Sequence, residues 1–138
     1  MIPIKSEEDL KMLQKSGKIL SKIMLRLQKF IRAGISTIEI DQIAERLIKE
    51  ANVTSAFKGY NGFPANICTS VNEEVVHGIP GQKRLKEGDI ISLDAGINYK
   101  GYISDIAITL PVGRIDSKLQ KLIEVTKNAL SQGIEQTR

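Results

Sequence analysis

The 138-residue sequence holds one cysteine, one histidine, no tryptophan, three tyrosines and three phenylalanines. A single cysteine forms no internal disulfide, so the fold must rest on its own packing. That suits a reducing compartment, and cytoplasmic placement is the expectation. No apolar run is long enough to cross a bilayer, which leaves no membrane partner to expect. The start, Met-Ile-Pro-Ile-Lys-Ser-Glu-Glu-Asp, does not read as a signal peptide. Internal repeats, low-complexity stretches and linkers are missing, and so is any nucleic-acid-binding motif or stacking platform.

What is present is ordinary in bulk: 41% hydrophobic and 26% charged residues, with a formal net charge of +4. That supports one domain over residues 1–138 with a core of its own. A first helix should begin at Ser6, boxed by Asp9, and run to Gly34. Leu10, Leu13, Gly17, Leu20, Met24, Leu27 and Ile31 recur at helical spacing as its buried stripe. Lys11, Lys15, Lys18, Lys22, Arg26 and Lys29 form a basic stripe opposite. Such a stripe is ordinarily a solvated face; its functional reading is contact with ribosomal RNA. A second helix should start at Ser36, boxed by Glu39, with Ile40, Ile43, Leu47 and Ile48 inward. A third should begin near Asp116 or Ser117, with Leu119, Leu122, Ile123, Thr126 and Leu130 inward and Gly133 near its end.

Between the second and third helices lie the strands. Residues 89–97 and 102–110 are β-branched and alternating, and Asn98-Tyr99-Lys100-Gly101 supplies a tight turn. They should pair as an antiparallel hairpin. A turn centred on Tyr99-Lys100 sets Asp94 opposite Asp105; one centred on Lys100-Gly101 makes them diagonal neighbours. Both registers put the two aspartates on one face. Ser92, Asp94 and Gly96 share that face with Ile103, Asp105, Ala107 and Thr109. Ile91, Leu93, Ile97, Ile106, Ile108 and Leu110 form the other, an apolar surface for helices to cover.

Facing carboxylates repel, so they are normally avoided unless a cation sits between them. A solvated polar face is the simpler alternative. Carboxylate oxygens suit hard or borderline divalent ions. The lone histidine, His77, lies just upstream in Asn72-Glu-Glu-Val-Val-His77-Gly-Ile-Pro80; taken alone it could equally be a turn histidine packed beside Pro80.

The run Phe57-Lys-Gly-Tyr60-Asn-Gly-Phe63-Pro-Ala-Asn-Ile-Cys68-Thr-Ser-Val-Asn72-Glu-Glu-Val-Val-His77-Gly-Ile-Pro80 resembles type I methionine aminopeptidases. So does Gly88-Asp-Ile-Ile-Ser-Leu-Asp94 with Asp105 eleven residues on. The resemblance covers essentially the whole chain and is to the N-terminal half of that family's catalytic domain. It implies an α+β fold: an antiparallel sheet covered on one face by helices, one half of a pita-bread architecture. It implies removal of the initiator methionine from nascent polypeptide N-termini, with two divalent metal ions (Co, Mn, Fe, Zn or similar) polarising the scissile carbonyl and activating water. Asp94 would be a ligand to one metal and Asp105 would bridge both. His77 would be catalytic, contacting substrate and stabilising the tetrahedral intermediate. Phe57, Tyr60, Phe63 and Cys68 would line or adjoin the methionine side-chain pocket, where rings and a soft thiol suit a thioether; the alternative is ordinary core around a Gly-rich loop.

The family's remaining ligands, a histidine and two glutamates, come from its second half and have no counterpart in this sequence. Metal binding by two aspartates alone should be weak. Activity of the isolated chain is therefore not expected unless two copies associate, through the surface meant for the missing half, about a shared site. A non-catalytic module binding peptide N-termini or the ribosome is the competing reading. A prolidase-like peptidase fits the 57–63 and 72–80 runs less well.

Overall fold

The computed structural model describes residues 4–137; the outermost positions of the expected 1–138 unit lie outside them. In chain order the elements are helix α1 (Glu7–Leu27), helix α2 (Thr37–Glu50), strands β1 (Thr54–Ser55), β2 (Ile67–Val71), β3 (Ile90–Tyr99) and β4 (Tyr102–Pro111), and helix α3 (Ser117–Glu135). Single 3₁₀ turns occupy Gln28–Phe30 and Tyr60–Gly62.

Both capping boxes form as the sequence pattern requires. Ser6 and Asp9 close one at α1, and Ser36 and Glu39 close the other at α2. In each, the serine hydroxyl and N–H hold the acidic partner's carboxyl below its ordinary range. Asp116 caps α3 by accepting from the Lys118 and Leu119 N–H groups.

All strand pairs are antiparallel. β3 is central, with β1 and β2 along one side of it and β4 along the other. The β3–β4 turn is Lys100–Gly101, with Tyr99 opposite Tyr102. Both turn residues have positive φ, 54° and 89°, as a two-residue hairpin turn that follows the strand twist demands. Asn98 Oδ1 accepts the Gly101 N–H at 2.7 Å and locks it.

One sheet face carries Ile67, Val71, Ile91, Leu93, Ala95 and Ile97. It packs with Leu20, Met24 and Leu27 of α1 and Ile40, Leu47 and Ile48 of α2 into one core. Two helices thus cover one face of the sheet. Each fully buried leucine or isoleucine contributes about 1.5–3 kcal/mol.

Three helix expectations need correction. α1 stops at Leu27 and the helical run at Phe30, short of Gly34. Gly34, at φ 87°, instead turns the chain where its N–H donates to the Leu85 carbonyl. Within α1 the buried stripe begins late, because Leu10 remains 50% exposed. Ser16, in place of a leucine, is fully buried there, bonding the Tyr102 carbonyl and the Ser104 hydroxyl. α3 buries none of its residues: Leu119 and Ile123 are half-covered, while Leu122, Val125, Leu130 and Ile134 are more than half exposed. Its periodicity is real, but nothing among the described residues covers it.

Leu93→Ala should therefore cost about 2–5 kcal/mol in urea unfolding, by loss of packing and a residual cavity. Leu122→Ala should cost no more than about 0.5 kcal/mol, as an exposed substitution. Equal losses would mean that α3 is packed in solution.

Candidate metal and substrate face

The hairpin register makes Asp94 pair with Ala107 and Asp105 with Gly96. The aspartates are diagonal neighbours on the sheet face that α1 and α2 leave free. β2 adds Cys68 opposite Asp94 and Ser70 opposite Ser92 on that same face. Gly96, opposite Asp105 and two residues from Asp94, has no Cβ, and the Phe57 ring occupies the space above it.

Asp94 and Asp105 differ in surroundings. Asp105 stands exposed on β4; Asp94 is half-buried in the central strand. Asp94 Oδ1 is buried and has no hydrogen-bond partner. An unmet acceptor of this kind is costly, more so when charged. Burial raises the Asp94 carboxyl above its ordinary value, the nearby Asp105 charge adds to that, and His77 offsets part of it. The same burial, with Asp94 and Asp105 behind it, pushes the Cys68 thiol up to about 11. Cys68 is thus held as a neutral thiol, not a reactive thiolate. Thr69 Oγ1 is also without a partner, but strand alternation places it on the opposite face.

His77 sits in the 72–81 loop with φ 59°, in the left-handed region. Non-glycine residues hold that conformation only where their surroundings impose it, and such positions concentrate at functional sites. Here the constraint is visible next door. The Gly78 N–H donates to Ser70 Oγ at 3.1 Å, and the Gly78 carbonyl accepts from the Thr69 N–H at 2.8 Å. A Cβ on Gly78 would lie 2.2 Å from the Thr69 carbonyl oxygen, so only glycine permits this approach. At the loop's start, Asn72 reaches across to β3, taking the Ile90 N–H on its side-chain oxygen at 3.0 Å. His77 is exposed and close enough to influence Asp94.

The expected pocket residues divide. Phe57 and Phe63 meet edge-to-face, with centroids 6.4 Å apart. The Phe57 ring lies over Gly96, where a Cβ would come within 2.6 Å of Cε1. Phe57 is therefore on the aspartate face, and Cys68 is beside Asp94. Tyr60 is not brought in: it sits in the Tyr60–Gly62 turn and is 71% exposed. A residue the sequence pattern did not single out is Asp41, on α2. Its buried carboxylate accepts from the Asn66 N–H, the Asn66 side-chain amide and the Ile67 N–H. The available signal was an acid at helical spacing with Ala44 and Ile48, inside an apolar stripe.

A divalent cation fits the residues present only in part. The orphaned Asp94 oxygen and the adjacent Asp105 are a suitable donor set for a hard or borderline cation. Among the described residues, however, no group of three or more His, Cys, Asp and Glu side chains could hold a metal ion. Two surface concavities, of about 300 and about 540 Å³, lie elsewhere and include none of His77, Asp94 or Asp105. Asp94, Asp105, Cys68 and the Phe57 ring share this one face.

Comparison with known proteins gives the chain its family. Residues 11–138 match the model of metallopeptidase family M24, and the chain belongs to that family. Within it, the chain is similar to methionine aminopeptidases. It is 49% identical to methionine aminopeptidase 1 of Bacillus subtilis over the whole chain and 56% of that protein. It is 46% identical to the Clostridium acetobutylicum enzyme over 98% of the chain and 54% of the relative. The crystal structure of methionine aminopeptidase from Rickettsia prowazekii superposes with a TM-score of 0.95 at 33% identity, covering 97% of this chain and 54% of that one. A prolidase from Pyrococcus furiosus superposes at 0.80 and 26% identity, covering 91% of this chain and 36% of its own. The fold is thus one part of the pita-bread architecture. The chain spans about half the length of the methionine aminopeptidases it matches.

The Asp94 environment predicts a pH-dependent stability. Its folded carboxyl titrates above the unfolded one, so folding is favoured while it is protonated and penalised once pH passes the raised value. In metal-free buffer Asp94→Asn should therefore raise the melting temperature at neutral pH. The gain should vanish below the ordinary aspartate range. A gain independent of pH would contradict this origin.

Proposed function

We propose that this chain forms the N-terminal half of a methionine aminopeptidase catalytic domain and supplies one wall of its metal and substrate site. The observation that carries the reading is the Asp94 oxygen, buried without a donor and diagonal to Asp105 on the helix-free face. An unpartnered carboxylate beside a second one is a poor structural element and a good cation ligand.

In this reading Asp94 and Asp105 are the residues of this chain that would hold divalent ions. When bound, the ions activate water and polarise the scissile carbonyl. The rest falls to side chains of this chain. His77, fixed by the Gly78 clamp at the rim of the face, donates a hydrogen bond where charge develops on the substrate. Phe57 and Phe63 offer ring surface to an unbranched thioether, and Cys68 stays a neutral thiol beside them. Tyr60 joins the pocket only if its turn closes over substrate. Nascent peptides beginning with methionine are the substrates, and the cytoplasm is the compartment.

The missing wall comes from the remaining half of a full-length domain or from a second copy of this chain. The uncovered face of α3 and the free edge of β4 are the surfaces such a partner would cover. The ribosome is a further proposed partner, through the exposed Lys11, Lys15, Lys18 and Lys22 of α1 and Lys29 of the turn that follows it. Arg26 belongs to that stripe but also pairs with Glu50 at 2.8 Å. The second reading, a non-catalytic module for peptide N-termini, is disfavoured by the retention of Asp94, Asp105 and His77 together.

The test is Mn²⁺- or Co²⁺-dependent release of methionine from a Met-Ala-Ser peptide by the purified chain, with its sedimentation mass measured in parallel. A monomer should show no turnover. Turnover by a dimer, lost in Asp105→Ala, would establish the two-copy site; turnover by a monomer would contradict the half-site account.

A further inference from the structure

We infer that Asp41 and Ser55 are positioning residues that fix the Phe57 side of the side-chain pocket, and so set how tightly an unbranched thioether is held. The inference deepens the reading above and rests on it for the identity of the ligand. Neither residue is on the aspartate face.

The connection is a continuous run of hydrogen bonds from α2 to the Phe57 backbone. Asp41 is buried at 7% exposure. Its Oδ1 accepts the Asn66 N–H at 2.8 Å and the Ile67 N–H at 3.1 Å, and its Oδ2 accepts the Asn66 side-chain amide at 3.0 Å. Asn66, itself buried, presents its carbonyl to the Ser55 hydroxyl, which donates at 2.8 Å. The same Ser55 oxygen accepts the N–H of Phe57 at 3.0 Å and of Lys58 at 3.2 Å. Between them, the Ala56 N–H donates to the Gly96 carbonyl at 2.9 Å. These contacts set the Phe57 ring down on Gly96, in a row with Asp94 and opposite Asp105.

The geometry is more than a loop anchor. Residues 55–67 leave the sheet at Ser55 and re-enter it at Ile67, and the network ties both ends to one carboxylate. The far end of the loop is held by backbone hydrogen bonds within itself, among them Gly59 N–H to the Phe63 carbonyl at 2.8 Å and Tyr60 N–H to the Phe57 carbonyl at 2.9 Å, with no buried side chain anchoring it. Gly59, Asn61 and Gly62 all have positive φ, and residues 58–62 are exposed. The other tie to α2, Lys58 with Glu45 at 3.2 Å, is solvent-exposed and worth little. Ring placement over Gly96 therefore depends on the buried end of the loop. The carboxylate suits the task, because a charged acceptor holding three N–H donors fixes direction as well as distance.

The metal-binding carboxylates are on β3 and β4, whose pairing does not pass through this network. Loss of the network should loosen the ring and leave the metal ligands in place. A general loss of structure would weaken both.

The test uses the 138-residue chain with three readouts: the nuclear Overhauser contact between the Phe57 ring and the Gly96 Hα protons, the affinity for L-methionine by NMR titration, and the affinity for Mn²⁺. Ser55→Ala should keep a cooperative melt, lose the Phe57–Gly96 contact, and bind L-methionine at least about fivefold more weakly, with Mn²⁺ affinity within about twofold of the parent. Ser55→Thr should restore the contact and the affinity. Asp41→Asn should repeat the Ser55→Ala pattern from the other end of the network; if it does not fold, the two Ser55 variants decide alone. Retention of the contact in Ser55→Ala overturns the inference, as does a parallel fall in methionine and Mn²⁺ affinity. If the parent binds no L-methionine, the selectivity half of the inference is overturned for this chain, while the functional reading is decided by peptide turnover and Mn²⁺ binding. The positioning half is then decided by the Phe57–Gly96 contact.

Discussion

Lys100 and Gly101 reverse the chain in two residues, and the pairing of β3 with β4 follows from that turn. The side-chain period of a strand is two, so a one-residue slip would exchange the faces. With β3 held in place by β2, Asp105 would then turn to the side of α1 and α2, and Ile106 and Ile108 would face away from them, separating Asp105 from Asp94. The observed register does the reverse. It fills one face with aliphatic side chains that two helices bury, and it collects the carboxylates on the other. Core and candidate site are two sides of one register.

The free face is built around a conflict that the chain alone does not resolve. Asp94 lies in the central strand, partly desolvated, with Asp105 diagonal to it and one oxygen without a donor. Such an arrangement weakens the folded state at neutral pH unless a cation offsets it. The surrounding backbone is shaped for close approach: Gly96 admits the Phe57 ring, and Gly78 lets the His77 loop lie against β2. Yet among the described residues no third His, Cys, Asp or Glu makes a metal-holding group with the pair, and α3 leaves the sheet with its apolar side uncovered. These features are consistent with the half-length match to methionine aminopeptidases.

Much of this was legible in the sequence, for identifiable reasons. Capping boxes are local, so Ser6–Asp9 and Ser36–Glu39 could be read directly. The shared face of the aspartates survived uncertainty about the turn because both candidate registers preserve parity; the structure selected the diagonal one. The errors are those of tertiary context. Helical periodicity gave α3 an inward side, but periodicity cannot say whether a partner surface exists. Gly34 looked like the end of α1 because a glycine there suits a helix stop; it serves the turn that meets Leu85. Ser16 and Asp41 were missed because a polar residue within an apolar stripe reads as noise until its partners, 86 residues away for Ser16 and 25 for Asp41, are seen. Tyr60 entered with Phe57 and Phe63 through the resemblance; here it is 71% exposed in the Tyr60–Gly62 turn.

The central claim is that Asp94 and Asp105 form an incomplete divalent-cation site. Calorimetric titration of Mn²⁺ into the chain tests it most directly. The account predicts weak binding that Asp105→Ala abolishes and Asp94→Ala reduces. Binding unchanged in Asp105→Ala, or no Mn²⁺ binding by the parent chain at any concentration up to tens of millimolar, would contradict it.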